Sequence, residues 1–151
     1  MKQLFILLFS LLVSVGIYSQ ACLLDGITFN TQQQIDDFQI NYPGCTEIDG
    51  FVSIHGDNIS DLSGLDCLVK IWGYLGIDNN SLQNLNGLQN LTNLGNGLYI
   101  VGNQFLTDLN GLNNITSING DFFIGSNSRL QDLSSLNNLS RIDGSLTINA
   151  I

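Results

Sequence analysis

The 151 residues carry a formal net charge of −9, with 4 Lys and Arg against 13 Asp and Glu. No basic patch survives that balance, so nucleic acid and anionic membrane surfaces are set aside as partners. One domain is the default at this length, and surface polarity comes from Asn, Ser, Gly and Gln more than from charge.

The first stretch reads as a targeting segment. Met1-Lys2-Gln3 supplies a short positive region, and Leu4 to Val15 is apolar except at Ser10 and Ser14. Ser19-Gln20-Ala21 then places small residues at the cleavage site ahead of Cys22. Residues 1–21 are therefore expected to be a signal peptide, and the protein to be secreted or held at the cell surface. The run is short for a membrane span, so none is expected in the mature chain. A lipoprotein reading would use Cys22 as an anchor, although Ser19 stands where such signals usually carry Leu.

Residues 22–47 read as a cap over one end of a stack, which otherwise exposes apolar side chains and unpaired strand edges. Ile27-Thr28-Phe29 alternates like a short strand. Thr31 and Gln34 have capping-box spacing, and Ile35 and Phe38 then share one helix face. Asn41-Tyr42-Pro43-Gly44 closes the helix in a turn. Cys22 and Cys45 bracket the unit, and in an exported chain a disulfide between them is the natural expectation. It competes with the lipid anchor, because Cys22 cannot serve both. Cys67 is left over. Its counterparts in later repeats are Asn90, Asn114 and Asn138, and no basic neighbour is present to activate it, so it reads as a partly buried free thiol.

Residues 48–151 are a repeat array of about four and a half copies. The frame is Leu75-x-Ile77-x-x-Asn80-x-Leu82. It appears one copy earlier as Val52-x-Ile54-x-x-Asp57-x-Ile59, then as Leu98-x-Ile100-x-x-Asn103-x-Phe105 and Phe122-x-Ile124-x-x-Asn127, and it begins again at Leu146-x-Ile148. Gly50, Gly73, Asn96, Gly120 and Gly144 hold one column, at steps of 23, 23, 24 and 24 residues. The paired apolar residues alternate as in a strand with those side chains inward. Strands a whole copy apart must lie parallel. Asp57, Asn80, Asn103 and Asn127 are expected to stack where the chain leaves the strand. Beyond them Ile59, Leu62, Leu65, Leu68 and Ile71, like Leu82, Leu85, Leu88, Leu91 and Leu94, recur every three residues. That spacing drifts off one face of an α-helix and fits a segment coiling around the core.

These residues resemble the leucine-rich-repeat-like L domain of growth-factor and insulin-type receptors, in its secreted bacterial form. Cys22 to Cys45, running on through Thr46-Glu47-Ile48-Asp49-Gly50, looks like that family's disulfide-closed cap and first strand. Leu85-Asn86-Gly87-Leu88-Gln89-Asn90-Leu91-Thr92-Asn93-Leu94 and Leu109-Asn110-Gly111-Leu112-Asn113-Asn114-Ile115-Thr116-Ser117-Ile118 look like its repeat phrase. The resemblance covers residues 22–151. It implies a mainly β fold, a right-handed parallel β-solenoid with a short N-terminal helical cap, and a role in binding rather than in a reaction. The family's C-terminal cap has no counterpart here, so part of a larger polypeptide is expected.

Chemistry is thin. His55 stands alone beside inward Ile54, without a nucleophile or metal-ligand spacing. The column Asp61, Asn84, Asp108, Asp132 fits a ladder of turn hydrogen bonds better than calcium ligation. No cofactor or metal is expected. Of five N-x-[ST] sequons (Asn58, Asn79, Asn90, Asn114, Asn138), three share one repeat column and echo the repeat. One feature departs from the frame: Phe51, Trp72, Tyr74, Tyr99 and Phe123 fall on outward strand positions. They are the candidate ligand-binding residues, read as an aromatic platform on the open sheet face, with ring-on-ring packing between rungs as the plain alternative. The functional expectation is a non-catalytic recognition or adhesion module for protein or glycan. The alternatives are a glycan-active enzyme using Asp78 or Asp121, and a passive spacer within a larger surface protein.

Overall fold

The computed structural model describes residues 20–149, so the signal-peptide reading of residues 1–21 lies almost entirely outside the described residues. The fold is mainly β, with two parallel sheets and two short helices. Strands β1 (Gln20–Cys22), β3 (Cys45–Ile48), β5 (Lys70–Ile71), β7 (Asn93–Leu94), β9 (Ser117–Ile118) and β11 (Arg141–Ile142) form the first sheet in that order. Strands β2 (Ile27–Phe29), β4 (Val52–His55), β6 (Tyr74–Asp78), β8 (Gly97–Val101), β10 (Asp121–Gly125) and β12 (Leu146–Asn149) form the second, again in order. Each repeat therefore gives one strand to each sheet, and every pairing is parallel, because the partner is always one whole copy away.

The register follows the frame. Val52, Leu75, Leu98 and Phe122 lie side by side, as do Ile54, Ile77, Ile100 and Ile124, and all are buried. The return segments explain the period of three. Leu65 N–H donates to Leu62 C=O and Leu68 N–H to Leu65 C=O, and the same links join Leu85, Leu88 and Leu91, then Leu109, Leu112 and Ile115. Each inward residue bonds the inward residue three before it, which is 3-10 geometry of about three residues per turn. The ring of leucines and the hydrogen-bond ladder are thus one pattern. At Gly87 and Gly111 the chain takes φ of +112° and +114°, and a Cβ there would strike the carbonyls of Leu62 and Leu85.

The N-terminal residues pack onto the first of these return segments. Thr31 and Gln34 form the expected capping box at the start of α1 (Gln32–Asp36), and α2 (Phe38–Asn41) follows at once. Ile35 and Phe38 are fully buried. Gln32 receives the N–H groups of Ser60 and Asp61, and Gln39 donates to Asp66. Cys22 and Cys45 are joined as a disulfide with Cα atoms 5.9 Å apart, so Cys22 is committed to the bridge, and Cys67 is free.

Three expectations need correction. The inserted residue after Asn103 shifts the frame, so that Leu106 is buried while Phe105 is 47% exposed and lies under the guanidinium of Arg129. The polar column runs through Asn80, Asn103 and Asn127 but leaves out Asp57, which is exposed. Each Asn donates its amide to the carbonyl of an inward strand residue, Ile54, Ile77 or Ile100, and a carboxylate has no proton to give there. Third, Leu146 and Ile148 hold inward frame positions yet are exposed, because no further strand lies beyond β12 among the described residues.

Candidate functional site

The outer face of the second sheet carries the aromatic residues singled out by the sequence. Strand alternation points Tyr74 outward beside buried Leu75, and Tyr99 and Phe123 outward between their buried neighbours. The register of β4 on β6 puts Phe51, just before β4, next to Tyr74, and that of β8 on β10 pairs Tyr99 with Phe123. The rings thus fall in two columns, Phe51 with Tyr74 and Tyr99 with Phe123. Phe51 and Tyr74 have ring centroids 5.2 Å apart with planes inclined by 8°, and Tyr74 and Tyr99 meet at 5.9 Å and 86°. Tyr74 is 36% exposed; Phe51, Tyr99 and Phe123 are half-buried.

Those angles replace the expected flat platform with something more closely packed. Two parallel rings at that separation cannot lie edge to edge in one plane without overlapping. They must instead overlap face to face with an offset. Phe51 and Tyr74 therefore cover part of each other, and the row presents tilted rings. Glycines make this possible. Gly97 stands opposite Tyr74 and Gly76 opposite Tyr99, leaving room for the diagonal contact. A Cβ on Gly97 would come within 3.0 Å of the Tyr99 ring, and one on Gly125 within 2.7 Å of the Phe123 ring. Sequence reasoning missed these seats, though the signal was available: aromatic and glycine two apart on outward positions, in Tyr74-Leu75-Gly76, Gly97-Leu98-Tyr99 and Phe123-Ile124-Gly125.

Trp72 does not join the row. Strand parity holds only within a strand, and the chain turns a corner at Trp72-Gly73 between β5 and β6. The Trp72 indole N–H donates to Glu47 at 3.4 Å, and Lys70 Nζ sits 3.1 Å from the ring centroid. Its partners are thus outward residues of β3 and β5 in the first sheet. Among the described residues no ring contact joins Trp72 to Tyr74.

Acids flank the ring row. Asp78, at the end of β6, lies 2.5 Å from His55 Nδ1 and also accepts from the Asn79 amide. Asp121 opens β10 and accepts the N–H of Ser145. None of the six strands of this sheet contains Lys or Arg. Sequence reasoning placed His55 outward, where it is found, but did not see its partner one strand away.

The remaining candidates serve the fold. Asp61, Asn84, Asp108 and Asp132 each accept the N–H two residues on, from Ser63, Asn86, Asn110 and Ser134, as turn residues do. For Asp132 these bonds from Ser134 hold the carboxyl below its usual pKa. The sequon residues Asn90, Asn114 and Asn138 give their amides to carbonyls of Asp66, Gln89 and Asn113 in the rung before, so their nitrogens are already engaged. Burial and the neighbouring Asp66 push the Cys67 thiol up, which keeps it protonated and unreactive at neutral pH.

A family model, the receptor L domain, matches residues 44–96. The matched span holds the end of the disulfide-closed segment, the first two full repeats, and Phe51 and Tyr74. It supports the resemblance read from the repeats. No curated protein matches the chain. No helix among the described residues is long and apolar enough to cross a membrane.

Proposed function

We propose that this protein is a non-catalytic recognition module of the receptor L-domain kind, acting outside the cytoplasm and binding a protein or glycan through the outer face of its second sheet. In this reading the repeats wind as a right-handed solenoid, residues 22–47 cap its first turn, and residues 48–151 present the binding face. The observation that carries it is the row of Phe51, Tyr74, Tyr99 and Phe123 on positions that a purely structural sheet would fill with polar side chains. Apolar aromatic surface left on a soluble face marks interaction sites, and Tyr and Trp dominate binding energy where they occur. Receptor L domains are ligand-binding modules, and the disulfide fits an oxidising compartment.

The test replaces Tyr74 and Tyr99 together by Ser, with binding measured across a panel of extracellular proteins and oligosaccharides and folding followed by thermal melting. Binding lost at an unchanged melting temperature is the expected result. Unchanged binding, or a large loss of stability, would reduce the rings to packing. Turnover of a polysaccharide that disappears on Asp78→Asn or Asp121→Asn would instead assign a glycan-active enzyme.

A further inference from the structure

Resting on that reading of the face, we infer that its occupant is a protein segment with an apolar centre flanked by Lys and Arg, and not a sugar chain. Two observations carry this. The first is ring geometry. Phe51 and Tyr74 each give part of one face to the other, and Tyr99 meets Tyr74 at right angles. A pyranose stacks on a whole open face, laid flat. Rings packed against one another present edges and part-covered faces, on which aliphatic side chains pack as at the centre of a protein interface.

The second observation is charge. Acids stand at both ends of the strands that carry the row. Asp121 opens β10, Asp78 closes β6 and exposed Asp57 follows β4. Against them the strands of this sheet offer no cation except His55 when protonated. The described Lys and Arg residues are occupied elsewhere: Lys70 over Trp72, Arg129 over Phe105, and Arg141 paired with Asp143. An apolar centre with a rim of one sign is complementary to a partner with an apolar centre and a rim of the other sign. Such a rim speeds encounter and rejects partners of like charge. A neutral glycan would draw nothing from this arrangement, and an acidic glycan would be repelled.

The experiment uses the whole chain and four probes: a Leu-Arg-Leu-Arg-Leu-Arg-Leu peptide, its Leu-Glu-Leu-Glu-Leu-Glu-Leu counterpart, chitohexaose and laminarihexaose. Binding is followed by fluorescence anisotropy for labelled peptides and by calorimetry for sugars, at low and at physiological salt. The basic peptide is expected to bind, the acidic one and both sugars are not, and affinity is expected to fall roughly tenfold at the higher salt as the rim is screened. Asp78→Asn with Asp121→Asn should weaken the basic peptide about tenfold, in keeping with the loss of two rim charges. These changes keep the oxygens that accept from Asn79 and Ser145. Asp36→Asn with Asp37→Asn, where α1 ends and α2 begins and outside every strand of this sheet, should leave it unchanged.

Equal weakening by the two pairs would reduce the effect to net charge and overturn the inference. So would failure of the basic peptide to bind, or self-association of the chain through this face. Sugar binding that is lost on Tyr74→Ser with Tyr99→Ser would overturn this inference while leaving the recognition reading in place. If no probe and no member of the wider panel depends on those rings, the recognition reading itself fails.

Discussion

The most exacting residues are the stacked asparagines. Asn103 is fully buried. It accepts from the N–H and amide of Asn80, and it donates to Ile77 C=O and to the amide oxygen of Asn127. Removing its side chain strands at least one N–H and one C=O in the core, each costing about 1–3 kcal/mol, so Asn103→Ala should lose roughly 3 kcal/mol. Asn80 is at the end of the ladder. Asp57 does not continue it, and Asn80 Oδ1 has no partner. Asn80→Ala gives up only the amide donations to Ile54 C=O and Asn103, and should cost about half as much as the Asn103 change. Denaturant unfolding of the two variants checks the order. Equal losses would mean that the ladder acts by filling space and not by pairing polar groups.

One rung of the stack is an element whose thickness is set by what lies between strands, and glycines decide it. At Gly120 a Cβ would fall 1.3 Å from the carbonyl oxygen of Asn96 in the rung before, so no side chain fits unless the rungs part. At Gly76 the nearest atom to a Cβ is on the Tyr74 ring, at 3.5 Å, an ordinary contact. Gly120→Ala should therefore cost about 3 kcal/mol or more by overpacking. Gly76→Ala should be neutral or stabilising by up to about 1 kcal/mol, because a strand glycine loses more freedom on folding. Thermal melting of both variants checks this, and a stability loss at Gly76 matching that at Gly120 would contradict the assigned stacking.

Much of this scale was legible beforehand. The inward pairs, the period of three, the capping box and the Cys22–Cys45 bridge all repeat a pattern or sit at a fixed spacing, and repetition makes periodic positions self-checking. What sequence could not resolve sits where the period breaks. Phe105 and Leu106 exchanged places because one inserted residue changes parity. Trp72 left the ring row because a corner interrupts the strand. The tilt of Phe51 on Tyr74 depends on rotamers, which no spacing encodes.

At the scale of the whole molecule, each rung touches mainly its two neighbours, so stability should propagate as a chain of nearest-neighbour terms. The disulfide closes a separation of 23 residues at one end of that chain. Constraining a loop of that length is worth about 3 kcal/mol in the unfolded state. Cys22→Ala with Cys45→Ala should lower stability by about that amount, but unevenly. Ile35 and Phe38 reach the array through the first return segment, where Gln32 and Gln39 also bond, so the segment from β1 to α2 should loosen first. Strands β6, β8 and β10, each flanked on both sides and sharing the Asn ladder, keep all their contacts. Amide hydrogen exchange should show protection lost from Gln20 to Ile48 and retained from Tyr74 to Gly125. A uniform drop along the chain would mean that the array unfolds as one cooperative block and that the bridge secures more than its own end.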